Sequence, residues 1–375
     1  MFTAGELQAR FGLRPTCTVG IEEEVMLLDP DTLALTHRAM DVAEMVQGDP
    51  RFKLELPASQ LEIITPPGPS VQAAAAALLE ARQALVAAAG DAVSFAVAGA
   101  HPFSSGVGPL NRGPRYDAIG HEYGWVAQRE LVCALHVHVS VGGGDRALAV
   151  YNAARSYLPL LAALAANAPF YEGADTGLAS VRPKVADLLP RQGVPPAIRS
   201  WEYYREALAW GAASGAFPDP ATWWWELRLH PGFGTLEFRV PDAQSTVGDA
   251  AAIAAVAQTL VTWLGTRHDA GEELAVSPTW RIQENRWSAC RHGVQGEMAD
   301  LRTGQRRPTD EALMDLLDRL GPTGSELACQ AELARARRLA EVNGAIEQRR
   351  AAQNGGGASA VARWLSERFL DREGR

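Results

Sequence analysis

The chain has 375 residues, of which 47% are hydrophobic and 21% charged. That is a globular composition, long enough for one large domain or two average ones. Its net charge of −9, with no basic stripe to offset it, argues against nucleic acid as a partner. Cys17, Cys133, Cys290 and Cys329 are scattered without a CxxC pair. This suits a reducing compartment and no structural zinc. The N-terminal segment has no apolar leader, and no uninterrupted apolar run approaches the ~20 residues of a membrane helix. The expectation is a soluble, cytoplasmic protein with no membrane partner; the sequence neither requires nor excludes a homo-oligomer.

In chain order, the first distinctive segment is "TVGIEEEVMLLDP" from Thr18. Its alternation predicts a strand with Glu22 and Glu24 on one face and Ile21, Glu23 and Val25 on the other. "SQLEIIT" likewise sets Gln60 and Glu62 against Leu61 and Ile63. From Val71 to Ala89 an alanine-rich run, with Ser70 before it and Gly90 after it, predicts a helix. "LHVHVSV" places His136, His138 and Ser140 opposite Val137, Val139 and Val141. A long helix is predicted from about Asp145, kinked at Pro159. Arg182 to Ala221, rich in proline, predicts a long functional loop with a short helix. "WELRLHP" and "TLEFRV" add two more alternating segments, carrying Glu226, Arg228 and His230, then Glu237 and Arg239. A helix is predicted over "DAAAIAAVAQTLVTWLG". From Thr309 onward only helices are expected, broken at Gly321-Pro322 and at Gly355-Gly356-Gly357.

The polar faces of the five strand-like segments carry Glu, His and Arg almost exclusively, and no Lys. Carboxylates crowded on one face repel each other and push their own pKa values up unless cations sit among them. A divalent-metal site with Glu22 and Glu24 as ligands answers this. Oxygen-rich donors with few histidines favour Mg²⁺ or Mn²⁺ over zinc. Each residue also has a plainer reading. Glu22 and Glu24 would serve as acidic gatekeepers of an edge strand. Taken alone, His136 and His138 fit a pair of hydrogen-bonded histidines as well as a metal or phosphate contact. Arg228 and Arg239 would either balance neighbouring glutamates or clamp a phosphate or carboxylate with their planar forks. Glu55 lies seven positions before Glu62, which is out of phase on a regular strand; a bulge or bend at Pro57 would bring both inward. No P-loop motif occurs. Carboxylates for metals, arginines for anions and no cysteine nucleophile together suit metal-assisted phosphoryl transfer.

Six segments in order, "GIEEEVMLLDP", "ELPASQLEIITPP", "QRELVCALHVHVSV", "NAPFYEGADTGLASVR", "WWWELRLHPGFGTLEFRVPDAQ" and "ENRWSACRHG", resemble the carboxylate-amine ligases of the glutamate–cysteine ligase type 2 group. The resemblance implies an α+β fold related to glutamine synthetase. Its core would be a curved antiparallel sheet, part of a barrel, with helices on the convex face, in a single catalytic domain over 1–375 that turns helical from about Thr309. It implies ATP and Mg²⁺ (or Mn²⁺) as cofactors. Metal or ATP-phosphate roles follow for Glu22, Glu24, Glu55, Glu62, His136 and Glu237, with His138, Asn285 and Arg182 on the cofactor. Arg239, Arg228 and Arg291 are expected to act on substrate or phosphate, and the loop with Asp175, Thr176 and Ser180 to lie on the substrate side. The implied reaction phosphorylates a carboxylate, that of glutamate for this group, and the amine of a second small molecule such as cysteine then displaces phosphate. A ligase joining a different carboxylate and amine is the nearest alternative. A metal-dependent amidohydrolase, suggested by His136-x-His138, would need repeated strand–helix units that the direct succession of strands from Trp225 to Val240 does not provide.

Overall fold

The computed structural model describes residues 2–217 and 222–372. The alternating segments all become strands of one antiparallel sheet. Its members are β1 (Val19–Leu28), β2 (Phe52–Leu54), β3 (Gln60–Ile64), β4 (Ser94–Ala96) and β5 (Leu135–Ser140). A small separate pair, β6 (Phe170–Tyr171) and β7 (Ala174–Asp175), comes next, before β8 (Leu227–His230) and β9 (Thr235–Phe238) return to the main sheet. The strand order is β2-β3-β1-β5-β9-β8, with β4 on β1. The sheet is open, not closed into a barrel. No parallel pair occurs among its described strands, which removes the repeated strand–helix architecture of an HxH amidohydrolase.

Fourteen helices are described: α1 (Ala4–Arg10), α2 (Ala39–Met45), α3 (Val71–Ala89), α4 (Pro114–Tyr123), α5 (Gly144–Ala154), α6 (Leu158–Ala165) and α7 (Arg182–Ala186) in the first half. The second half holds α8 (Trp201–Ser214), α9 (Val247–Asp269), α10 (Thr279–His292), α11 (Thr309–Glu326), α12 (Gln330–Glu341), α13 (Gly344–Gln353) and α14 (Gly357–Glu367). The apolar sides of β1, β3, β5, β8 and β9 (Ile21, Val25, Leu61, Val137, Leu229, Phe238) share one core with α3, α5 and α9. Burial of these side chains at roughly 1.5–3 kcal/mol each holds the helices on that face. α9 has the length and hydropathy of a membrane span by composition, as does α3, but most of the apolar stretch of α9 is buried within this fold.

The predicted helix ends hold where a cap marks them. The Ser70 hydroxyl accepts from the Ala73 N–H, and Gly90 ends α3 with φ 52°. The long helix near Asp145 breaks earlier than expected. A 3₁₀ turn at Arg155–Tyr157 separates α5 from α6, and Pro159 sits in the first turn of α6, where its missing N–H costs nothing. Two expectations fail. Gly321-Pro322 does not break α11; Pro322 lies on its exposed face, while Leu313, Leu316, Leu317 and Leu320 bury the other. That burial outweighs the roughly 3 kcal/mol that an internal proline costs. In the next turn, the absence of a Cβ at Gly324 leaves room for the tip of the Leu333 side chain of α12. The proline-rich stretch after Arg182 is also more helical than expected. α8 runs fourteen residues from a Ser200 cap; residues 218–221 of that stretch lie outside the described residues.

Candidate active site

Strand phase and register assemble the polar face. Glu22 pairs with His136 across β1–β5, Glu24 with Glu62 across β1–β3, and His138 with Glu237 across β5–β9. Arg228 pairs with Glu237 across β8–β9. The row Arg228–Glu237–His138 therefore runs across three strands, and its Glu237 and His138 side chains approach Glu22.

Two triads of ligand atoms result, Glu22–His138–Glu237 and Glu22–Glu62–His136, the atoms of each lying within 4.8 Å of one another. His138 Nε2 lies 3.3 Å from Glu22 and 3.9 Å from Glu237. His136 Nδ1 lies 3.4 Å from Glu22 and 4.0 Å from Glu62, and its Nε2 3.7 Å from Glu24. Glu24 and Glu55 line the same cavity of about 290 Å³ without joining either triad. Glu55 reaches it by a bend that includes Pro57, as expected. β2 and β3 form a hairpin around residues 55–59, so Glu55 and Glu62 come from the turn and one arm of it.

The electrostatics are those of an under-neutralised acid cluster. Burial, then the Glu55 charge, pushes the Glu24 carboxyl up to about 8, although the Ala134 N–H donates to it at 2.6 Å. Burial, then the charges of Glu55, Glu22 and Glu24, raises Glu62 well above the carboxylate range; burial also raises Glu55. Glu22 is the exception. Burial pushes it up, but the His136 hydrogen bond and the nearby His138 more than reverse this and hold it low. Burial and then Arg239 lower His136 to about 4, leaving a neutral imidazole. His138 Nδ1 is tied to the Thr235 hydroxyl at 2.9 Å, while its buried Nε2 has no hydrogen-bond partner. Raised carboxyls, a neutral histidine and a bare ring nitrogen fit a divalent cation.

The arginines divide unevenly. Arg228 forks onto Glu237 with 2.6 and 2.9 Å contacts, so its predicted anion clamp is already used within the protein. Arg239 donates Nη1 to the same carboxylate at 2.5 Å, approaches His136 at 3.5 Å, and lines the cavity. Arg182 borders the cavity, but it binds Asp242 at 2.9 Å and the carbonyls of Arg239, Val240 and Pro241. It fixes the end of β9 and leaves little for a cofactor. Asn285 and Arg291 depart furthest from expectation. Asn285 exchanges two hydrogen bonds with the Ala299 backbone, and Arg291 donates to the Gly177 carbonyl; neither lines the cavity. Asp175 is held by Arg349, and Thr176 bonds the Pro169 carbonyl, both outside the cavity lining. Ser180, buried on the neighbouring strand-like stretch, likewise stays outside it.

The member of "ENRW" that reaches toward the site is Arg286, which grips Glu226 at 2.7 Å and Asp187 at 2.8 Å. Glu130 and Arg115 also line the cavity. Sequence patterning missed these because Arg286 is on a helix and the other two lie in no alternating segment. A second cavity of about 490 Å³, walled by Ile21, Ile64, Pro66, Pro67 and Phe233, meets the first at Glu22.

Fold and site together define a ligase of the glutamate–cysteine ligase kind. The chain belongs to glutamate–cysteine ligase family 2, whose profile matches residues 18–363. It is 40% identical to the "Putative glutamate--cysteine ligase 2-3" of Rubrobacter xylanophilus, over 96% of this chain and 99% of that one. It is 35% identical to the "Putative glutamate--cysteine ligase 2" of Gloeobacter violaceus, over 89% and 91%. Among solved structures it resembles the Francisella tularensis glutamate–cysteine ligase in complex with AMP, with a TM-score of 0.67 over 96% of this chain and 90% of that one. It also resembles a bifunctional glutathione synthetase from Pasteurella multocida, with a TM-score of 0.65 over 98% of this chain and 53% of that one. At 11% and 14% identity these two are likenesses of fold.

Proposed function

We propose that the protein is an ATP-dependent carboxylate–amine ligase that activates glutamate as its γ-glutamyl phosphate and joins it to the amine of cysteine. The observation that carries this reading is the pair of triads sharing Glu22, set where a polar cavity meets an apolar one. The apolar slot suits the base of a nucleotide, and the polar cavity suits an amino acid. The two triads share the residue at which the cavities meet, Glu22, and a terminal phosphate placed there would be in position for transfer. Glu22, Glu62, His136, His138 and Glu237 would hold Mg²⁺, with Glu24 and Glu55 beside them; bound there, Mg²⁺ supplies charge neutralisation for the transferring phosphoryl group.

This chain's own residues do the rest. Glu237 locks Arg228 and Arg239 in place, so Arg239 presents a fixed positive edge to the acyl phosphate. Thr235 fixes the His138 ring so that Nε2 faces the acids. The test is ADP formation with ATP and Mg²⁺. Turnover is expected to require glutamate and an amine together, with γ-glutamylcysteine as product. ADP release independent of any carboxylate would refute the reading.

A further inference from the structure

The polar cavity holds a second pair of carboxylates that the triads do not use. Glu226, just before β8, is 6% exposed. Arg286 takes its Oε1 at 2.7 Å, and its Oε2 is buried without a hydrogen-bond partner. Glu130, which follows the 3₁₀ turn Gly124–Arg129, also has a buried Oε2 without a partner. Both line the cavity. Leaving a buried acceptor unpaired is destabilising, and more so when it is charged. Two such atoms in residues of one cavity lining are tolerated if a ligand brings the missing N–H donors. An ammonium group does so: it offers three donors and a charge.

We propose that Glu130 and Glu226 form the subsite for the amine substrate in its ammonium form, and that Glu130 is the base that deprotonates it. This rests on the ligase reading above. Arg286 holds Glu226 as the anchor, while Glu130 has no such partner among the described contacts and is the one able to exchange a proton. The ammonium gives one proton to the Glu130 carboxylate. The freed nitrogen lone pair attacks the acyl carbon, a C–N bond forms, and the C–O bond to phosphate breaks with its electron pair staying on phosphate. The second nitrogen proton leaves with the phosphate as HPO₄²⁻, and Glu130 returns its proton to solvent. Burial, opposed in part by Arg182 and Arg239, brings the Glu130 carboxyl up to about 7, which suits reversible exchange with an amine near neutrality.

Hydroxylamine separates the two halves of the reaction, because it is largely uncharged at neutral pH and needs no base. With ATP, Mg²⁺ and glutamate, Glu130→Gln is expected to lose amide synthesis with cysteine by about 100-fold, a base's usual contribution, while hydroxamate formation falls only a few-fold. Glu130→Asp should recover part of the amide rate, and Glu226→Gln should raise the KM for cysteine more than it lowers hydroxamate formation. Thermal melts establish that each variant is folded. Equal loss of amide and hydroxamate in Glu130→Gln, or no loss of either, would overturn the assignment. No hydroxamate from the unaltered protein would instead overturn the ligase reading on which it stands.

Discussion

Strand β1 carries three consecutive glutamates, and its two faces treat them in opposite ways. On the core face, Glu23 is fully buried against an equally buried Arg82, with contacts of 2.6 and 2.8 Å. Arg82 completes its bonding on the carbonyls of Gln244 and Phe369. On the cavity face, Glu22 and Glu24 meet histidines and other acids, and charge there is left over. A buried carboxylate with all its partners built in is architecture. The carboxylates one residue away on the same strand face other acids instead, the setting in which we propose that a cation binds.

The largest test of that contrast is Arg82→Met. It leaves Glu23 as an uncompensated buried charge, so a loss of about 3–5 kcal/mol in urea unfolding is expected, unrelieved by Mg²⁺. A near-neutral effect would mean that Glu23 is not held as described. Glu237 belongs to both categories, being clamped by Arg228 and Arg239 and also part of a triad. Glu237→Ala should therefore destabilise the fold by several kcal/mol, about what breaking a buried pair costs, whereas Glu237→Gln keeps some hydrogen bonds, melts closer to the parent and still loses ligation. Wild-type turnover in Glu237→Gln would remove this residue from the site.

The cavity acids should behave in the reverse sense. Glu24 and Glu62 have folded-state values raised above the carboxylate range, so in chelator-treated protein the stability they allow is complete below about pH 4.5 and declines as pH climbs. For Glu24 the decline runs from its ordinary value of 4.5 up to about 8. Glu62→Gln should raise the melting temperature of the metal-free protein at pH 8 by a few degrees, the size of a ~1 kcal/mol gain. A lowered melting temperature would show that the acids are already compensated. The smallest effect is expected at Arg291→Ala. Its side chain reaches the Gly177 carbonyl and not the cavity, so KM values for ATP and glutamate should stay within about twofold, under ~0.5 kcal/mol. A large kinetic defect would place Arg291 in the site after all.

Much of this was legible in the sequence because a period of two sorts side chains by face regardless of tertiary context. The alternation put Glu22, Glu62, His136, His138 and Glu237 on one surface, and turned Glu23 away from it. It could not supply Glu23's partner, since Arg82 lies in an alanine-rich helix where one arginine reads as solvated. It placed Glu55 beside Glu62 through a bend at Pro57, and that bend is the five-residue turn after β2. Asn285 and Arg291 were taken from a motif whose site-facing member, Arg286, is distinguished by helix phase and burial. The proline at position 322 misled in the same way: local propensity favoured a break, and packing of the opposite face overrode it.

The central claim is that the cavity face of β1 is incomplete without a divalent cation while the core face is complete. Titrating chelator-stripped protein with Mn²⁺, with the free ion followed by its spin resonance and released protons followed in weak buffer, tests it most directly. The account predicts binding accompanied by proton release at pH 7, as raised carboxyls give up their protons to the metal. It predicts loss of both signals in Glu22→Gln, which removes the residue shared by the two triads. Binding of undiminished strength in Glu22→Gln, or no binding by the unaltered protein with nucleotide present, would contradict it.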